Sequence, residues 1–81
     1  MSPKQQITIH INGLDYEFKR TINASQNGAV SYSAKDHRQE KTPANILHVT
    51  QRENGWEFAN TDLDENFIQT VVRSLNENER R

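Results

Sequence analysis

The side chains with the widest chemical range in this sequence are three histidines, His10, His37 and His48. Imidazole titrates near neutrality and ligates metals, so a histidine beside a carboxylate or a hydroxyl is the first combination to weigh. His10 and Asp15 flank an Asn12-Gly13 pair, and that spacing sets them opposite each other in a hairpin. A metal centre needs three or four convergent ligands. His10, His48, Asp15 and Glu17 could supply them only if their strands were neighbours, which the spacing does not demand. A solvated His–Asp pair on a polar sheet face is the expectation.

Ser31 and Ser33 are the hydroxyls to test as nucleophiles, but the sequence has neither a strand-to-helix elbow nor a glycine-rich oxyanion loop around them. There are three glycines, and Gly13 and Gly55 are both taken by Asn-Gly turns, which leaves no phosphate-cradling loop. Asp62, Asp64 and Glu65 cluster, yet negative charge at a helix start explains them better than a glycosidase carboxylate pair. No catalytic residue, metal ligand set or cofactor is expected, and the chain reads as a non-enzyme.

The elements that carry these residues follow from periodicity. Ile7, Ile9 and Ile11 alternate with polar residues before Asn12-Gly13, and Leu14, Tyr16 and Phe18 alternate after it. A two-residue loop pairs Ile11 with Leu14, Ile9 with Tyr16 and Ile7 with Phe18 on one face. His10 then meets Asp15, Thr8 meets Glu17 and Gln6 meets Lys19 on the other. Asn54-Gly55 predicts a second hairpin pairing Glu53 with Trp56, Arg52 with Glu57 and Gln51 with Phe58, with Leu47, Val49, Trp56 and Phe58 sharing a face. Between the hairpins, 29–35 alternates as a strand with Val30, Tyr32 and Ala34 on one side, and 36–43 reads as a polar loop. A competing reading starts a short helix at a Ser33 cap and runs it through Lys41, ending before Pro43.

Leu63, Phe67, Ile68, Val71, Val72 and Leu75 recur at helical spacing. Thr61 with Asp64 three residues on predicts the capping box of that helix. The expected fold is therefore α+β: an antiparallel meander of about five strands with one C-terminal amphipathic helix packed on one sheet face. Residues 1–81 form a single domain in this reading, with 1–5 and 77–81 frayed for want of apolar anchors.

Composition narrows function by exclusion. Hydrophobic residues make up 32% of the 81, against nine asparagines and six glutamines, but a net charge of −1 does not fit the high charge of disordered chains. The absence of cysteine excludes disulfides and thiolate chemistry. The apolar runs are too short for a signal peptide or a membrane span, so a cytoplasmic location is expected.

Charge is uneven: 1–52 carries seven Lys/Arg against four Asp/Glu, and 53–81 carries three against seven. Lys19, Lys35 and Arg52 fall on the polar sheet face, with Arg20, Arg38 and Lys41 near its margins. Tyr16, Phe18, Tyr32, Trp56 and Phe58 fall on the apolar face, however, where they cannot stack on bases. Nucleic-acid association through the mildly basic sheet face is thus the second reading. A small inhibitor presenting an acidic helix face, Asp64 and Glu65, to a nucleic-acid-handling protein is the third.

The first reading is a small protein-interaction or regulatory module whose partner is another protein or a second copy of itself, joined through a sheet edge. Its candidate interaction face comprises His10, Lys19, Ser31, Ser33, His48, Thr50 and Arg52. The scarcity of apolar surface supports a partner, since one sheet face and one helix stripe are close to the minimum for independent stability.

Overall fold

Asn12 (φ 52°) and Gly13 (φ 80°) form the tip of the first hairpin in a computed structural model that describes residues 2–37 and 46–80. Two consecutive left-handed residues match the right-handed twist of the flanking strands. Those strands are β1 (Gln6–Ile11) and β2 (Leu14–Asn23), and their register is the expected one, from Gln6 opposite Lys19 to Ile11 opposite Leu14.

A 3-10 turn, Ala24–Gln26, closed by Asn27 in the left-handed conformation, leads to β3 (Ala29–Lys35). Ser33 lies within that strand, so it caps no helix. Arg38, Lys41 and the rest of the expected polar loop lie outside the described residues, apart from Asp36 and His37. The chain continues as β4 (Ile46–Arg52), β5 (Gly55–Phe58) and α1 (Glu65–Glu79).

All five strands are antiparallel in one sheet of order β1-β2-β3-β4-β5, with the helix packed on it: an α+β meander. The second hairpin departs from the expected register. Gly55 pairs with Arg52, Trp56 with Gln51, Glu57 with Thr50 and Phe58 with Val49. Its loop residues are Glu53 and Asn54; Asn54 is not left-handed, and Gly55 takes φ +134° instead. The slip is two residues, and because side chains alternate with period two, every residue keeps its expected face. Arg52 and Glu57 still touch, at 3.3 Å, as diagonal neighbours.

The core lies between the sheet and the helix. Ile9, Ile11, Tyr16, Phe18, Tyr32, Ala34, Leu47 and Val49 from the strands meet Phe67, Val71 and Leu75 from α1. Tyr16 and Phe67 pack edge-on at 5.4 Å, and Tyr32 and Trp56 at 5.7 Å. The helix begins three residues later than the capping-box reading places it: Asp64 is the cap, its carboxylate accepting the Phe67 N–H at 2.7 Å. Asp outranks Thr as a cap, and this choice leaves Leu63 just outside the helix, packed on the core.

Candidate functional site

The polar sheet face carries all seven expected residues. Lys19, Ser33 and His48 form one cross-strand row, and Thr21, Ser31, Thr50 and Glu57 form the next. The face is less open than alternation implies, because Ser31 and Thr50 are only 2% and 6% exposed. Their hydroxyls share a 3.3 Å hydrogen bond. His10 and Asp15 meet at 2.7 Å between Nδ1 and Oδ1, both exposed. His48 sits on β4, three strands removed from His10 on β1, a lateral separation of about 14 Å across the sheet. Among the described residues, no group of three or more His, Asp or Glu is placed to hold a metal ion.

Asp64 and Glu65 are both exposed at the start of α1. Asp64 is engaged as the cap, and Glu65 accepts from Gln69 at 3.1 Å. The charge that could make an acidic surface is thus partly used within the helix.

The far end of the helix holds a polar network that sequence periodicity missed. Arg20 follows Tyr16 and Phe18 in alternation and so stands on the helix side of the sheet, not at the margin of the polar face. It donates to Glu79 from Nε at 2.8 Å and from Nη2 at 3.1 Å, with the two side chains only 10% and 15% exposed. Tyr32 donates its hydroxyl to Glu79 and accepts from Asn78 Nδ2 at 2.7 Å. Burial, followed by the bond to Glu79, pushes the Tyr32 hydroxyl up to about 12. Burial alone would raise Glu79, but the hydrogen bonds from Arg20 and Tyr32 and the Arg20 charge outweigh it, leaving Glu79 below the usual carboxylate range. The hydrogen bonds to Glu79 raise Arg20 in turn, against burial. These groups are locked in fixed protonation states near neutral pH, which suits architecture rather than proton transfer.

Asn78 also reaches the N-terminal segment, accepting from the Lys4 N–H and donating to the Lys4 carbonyl, both at 3.0 Å. Both chain ends lack apolar anchors, as the sequence shows, and this polar contact joins them.

The two edges of the sheet are β1 and β5. The Arg20 N–H bonds to the Gln5 carbonyl at 2.8 Å, which sets the phase of the β1–β2 ladder. In an antiparallel pair, alternate residues direct both backbone groups to the neighbour. Gln5, Ile7, Ile9 and Ile11 therefore face β2, whereas Lys4, Gln6, Thr8 and His10 face outward. Asn78 takes the outward groups of Lys4. Those of Gln6, Thr8 and His10 have no partner among the described residues.

At the opposite edge, the Asn60 side chain covers β4 where β5 has ended, accepting from the His48 N–H and donating to the Ile46 carbonyl, each at 3.3 Å. Only Trp56 and Phe58 of β5 face outward there, and Trp56 is tied to α1 by a 2.8 Å bond from Nε1 to Asn76 Oδ1. Alongside β1 runs a 440 Å³ groove lined by Lys4, Ile7, Ile9, Ser74, Glu77 and Asn78, among others. No helix of the described residues is long and apolar enough to cross a membrane. Comparison with family models, curated proteins and solved structures finds no match.

Proposed function

We propose that this chain is a non-enzymatic protein-interaction module that works by accepting an extended strand along the edge of β1. The observation that carries the reading is the row of outward N–H and C=O groups on Gln6, Thr8 and His10, beside a groove under the helix. Backbone groups in such a row bind an added strand without regard to its sequence, and the flanking groove supplies side-chain contacts. Two asparagine side chains cover backbone groups on opposite sides of the sheet, at Lys4 and at Ile46 and His48. That cover stops short of β1, which is also the longer edge, with six residues against the four of β5. Its sequence, Gln-Ile-Thr-Ile-His-Ile, contains no Lys, Arg, Pro or Gly to discourage pairing. The cysteine-free composition supports a cytoplasmic setting for this partner.

A proline test separates edge docking from other surfaces. Thr8 directs its N–H away from β2, so Thr8→Pro removes a donor that the monomer's own ladder does not use. Titration with a capped Thr-Val-Thr-Val-Thr peptide should shift the backbone amides of Gln6, Thr8 and His10 in the natural chain. The same peptide should leave T8P unperturbed. Thr8→Lys, a charged edge substitution, gives the same readout if proline disturbs folding. Peptide shifts confined to the polar sheet face or α1, or none at all, would contradict the reading.

A further inference from the structure

We infer that the strand accepted by the β1 edge is β1 of a second copy, paired antiparallel about a two-fold axis that sets Thr8 opposite Thr8. This rests on the edge-docking reading and names its occupant.

Three observations select a second copy and this register. First, residues joined by a hydrogen-bonded pair must both face outward, and along β1 Gln6, Thr8 and His10 do so with groups that have no partner among the described residues. Centring on Thr8 pairs Gln6 with His10 of the second copy, Thr8 with Thr8, and His10 with Gln6. Every open group is then used, each such pair exchanging two backbone bonds. Moving the centre along β1 strands at least one residue at each end.

Second, the side chains suit themselves. The segment holds no Asp, Glu, Lys or Arg, so a two-fold axis brings no fixed like charges together. Thr8 faces Thr8, a favourable cross-strand pair, and Gln6 faces His10 on the polar face. On the helix side, Ile7 lies beside Ile9 of the second copy. Ile7 packs on the core but is only partly buried, and a β-branched neighbour covers what the edge leaves exposed.

Third, a six-residue run without Asp, Glu, Lys, Arg, Pro or Gly, four of its residues β-branched, is the kind of edge that proteins otherwise protect. Closed point-group pairing protects it by consuming both copies of the edge at once. The result is a continuous ten-stranded sheet with both helices on one face.

Light scattering at high micromolar concentration should give twice the 9.4 kDa monomer mass, falling to the monomer mass in T8P. The chain has no cysteine, so Thr8→Cys introduces the sole thiol. In this register the two Cα atoms stand about 5.5 Å apart, inside the disulfide range. T8C should therefore crosslink at least about tenfold faster than Lys35→Cys, whose thiol lies on β3 and meets its copy only by collision. A monomeric mass with the Thr-Val-Thr-Val-Thr peptide still captured would overturn self-pairing and leave strand docking standing. A dimer that survives T8P, or that links T8C no faster than K35C, would place the contact elsewhere and overturn both the partner and the register.

Discussion

Lys4 and Asn78, near opposite ends of the chain, exchange two hydrogen bonds of 3.0 Å: the Lys4 N–H donates to Asn78 Oδ1, and Asn78 Nδ2 donates to the Lys4 carbonyl. The side-chain amide does for Lys4 what a neighbouring strand would do. It fixes the chain as it enters β1 and marks where the open edge begins. Asn60 does the same for β4 at the other side of the sheet.

Asn78→Ala removes both Lys4 contacts and the amide that donates to Tyr32. A loss of about 2 kcal/mol is expected, the scale of a buried side chain whose several hydrogen bonds vanish together. Urea unfolding at fixed protein concentration checks it, and amide exchange should show Lys4 losing its protection. A loss below about 0.5 kcal/mol, within the range of an ordinary surface substitution, would mean that the contact does not hold the ends.

Glu79 sets the acid dependence. Its carboxyl lies below the usual value of 4.5 in the folded chain, so its ionised form stabilises folding above that value, and this contribution is lost as pH falls through the lower folded one. Glu79→Gln should be less stable than the natural chain at pH about 7, and the gap should close on acidification below about 5. Unfolding midpoints across that range test the sign; a gap that stays constant would mean that ionisation of Glu79 plays no part.

Tyr32 sets the alkaline limit. Its hydroxyl is raised to about 12 from an unfolded value of 10.0, so the contribution is complete below 10 and is lost as pH rises through about 12. Phenolate absorbance in the natural chain should contain a component near 12 that Tyr32→Phe lacks. If the difference spectrum instead titrated near 10, Tyr32 would not be held by burial and Glu79.

The second hairpin offers a test of backbone conformation. Gly55 has φ +134°, and an added Cβ would meet no atom within 4 Å, so the cost of Gly55→Ala is conformational alone. We expect about 1–3 kcal/mol for it. Asn54 is not left-handed, so Asn54→Ala should be nearly neutral, whereas Asn12→Ala replaces a residue at φ 52° and should cost about 1 kcal/mol. Equal costs at Asn12 and Asn54 would restore the two-residue Asn54-Gly55 turn.

Most of the fold was legible because it rests on period-two alternation, which survives even the slip at Gly55. The register of β1 on β2 was legible in full, since Asn12-Gly13 leaves one loop length that keeps six apolar residues together. Periodicity read as an apolar signal missed Arg20 and Asn78. Arg20 continues the Tyr16, Phe18 alternation and Asn78 continues the Phe67, Val71, Leu75 stripe, so both sit inward, where they satisfy one another's surroundings through Glu79 and Tyr32. A polar residue at an apolar position of each facing element was the available signal. Edge identity was not legible, because it depends on strand order, and the openness of Gln6, Thr8 and His10 depends on ladder phase.

Residue-resolved amide exchange along β1 at two protein concentrations tests strand pairing at this edge most directly. Ile7, Ile9 and Ile11 donate to β2 and should be protected at both. Gln6, Thr8 and His10 should exchange rapidly in dilute solution and slow together as concentration rises, Thr8 no less than the other two. If these three amides exchange freely at every concentration while the mass doubles, or if they are protected in the dilute monomer, the β1 edge is not where the chain meets its partner.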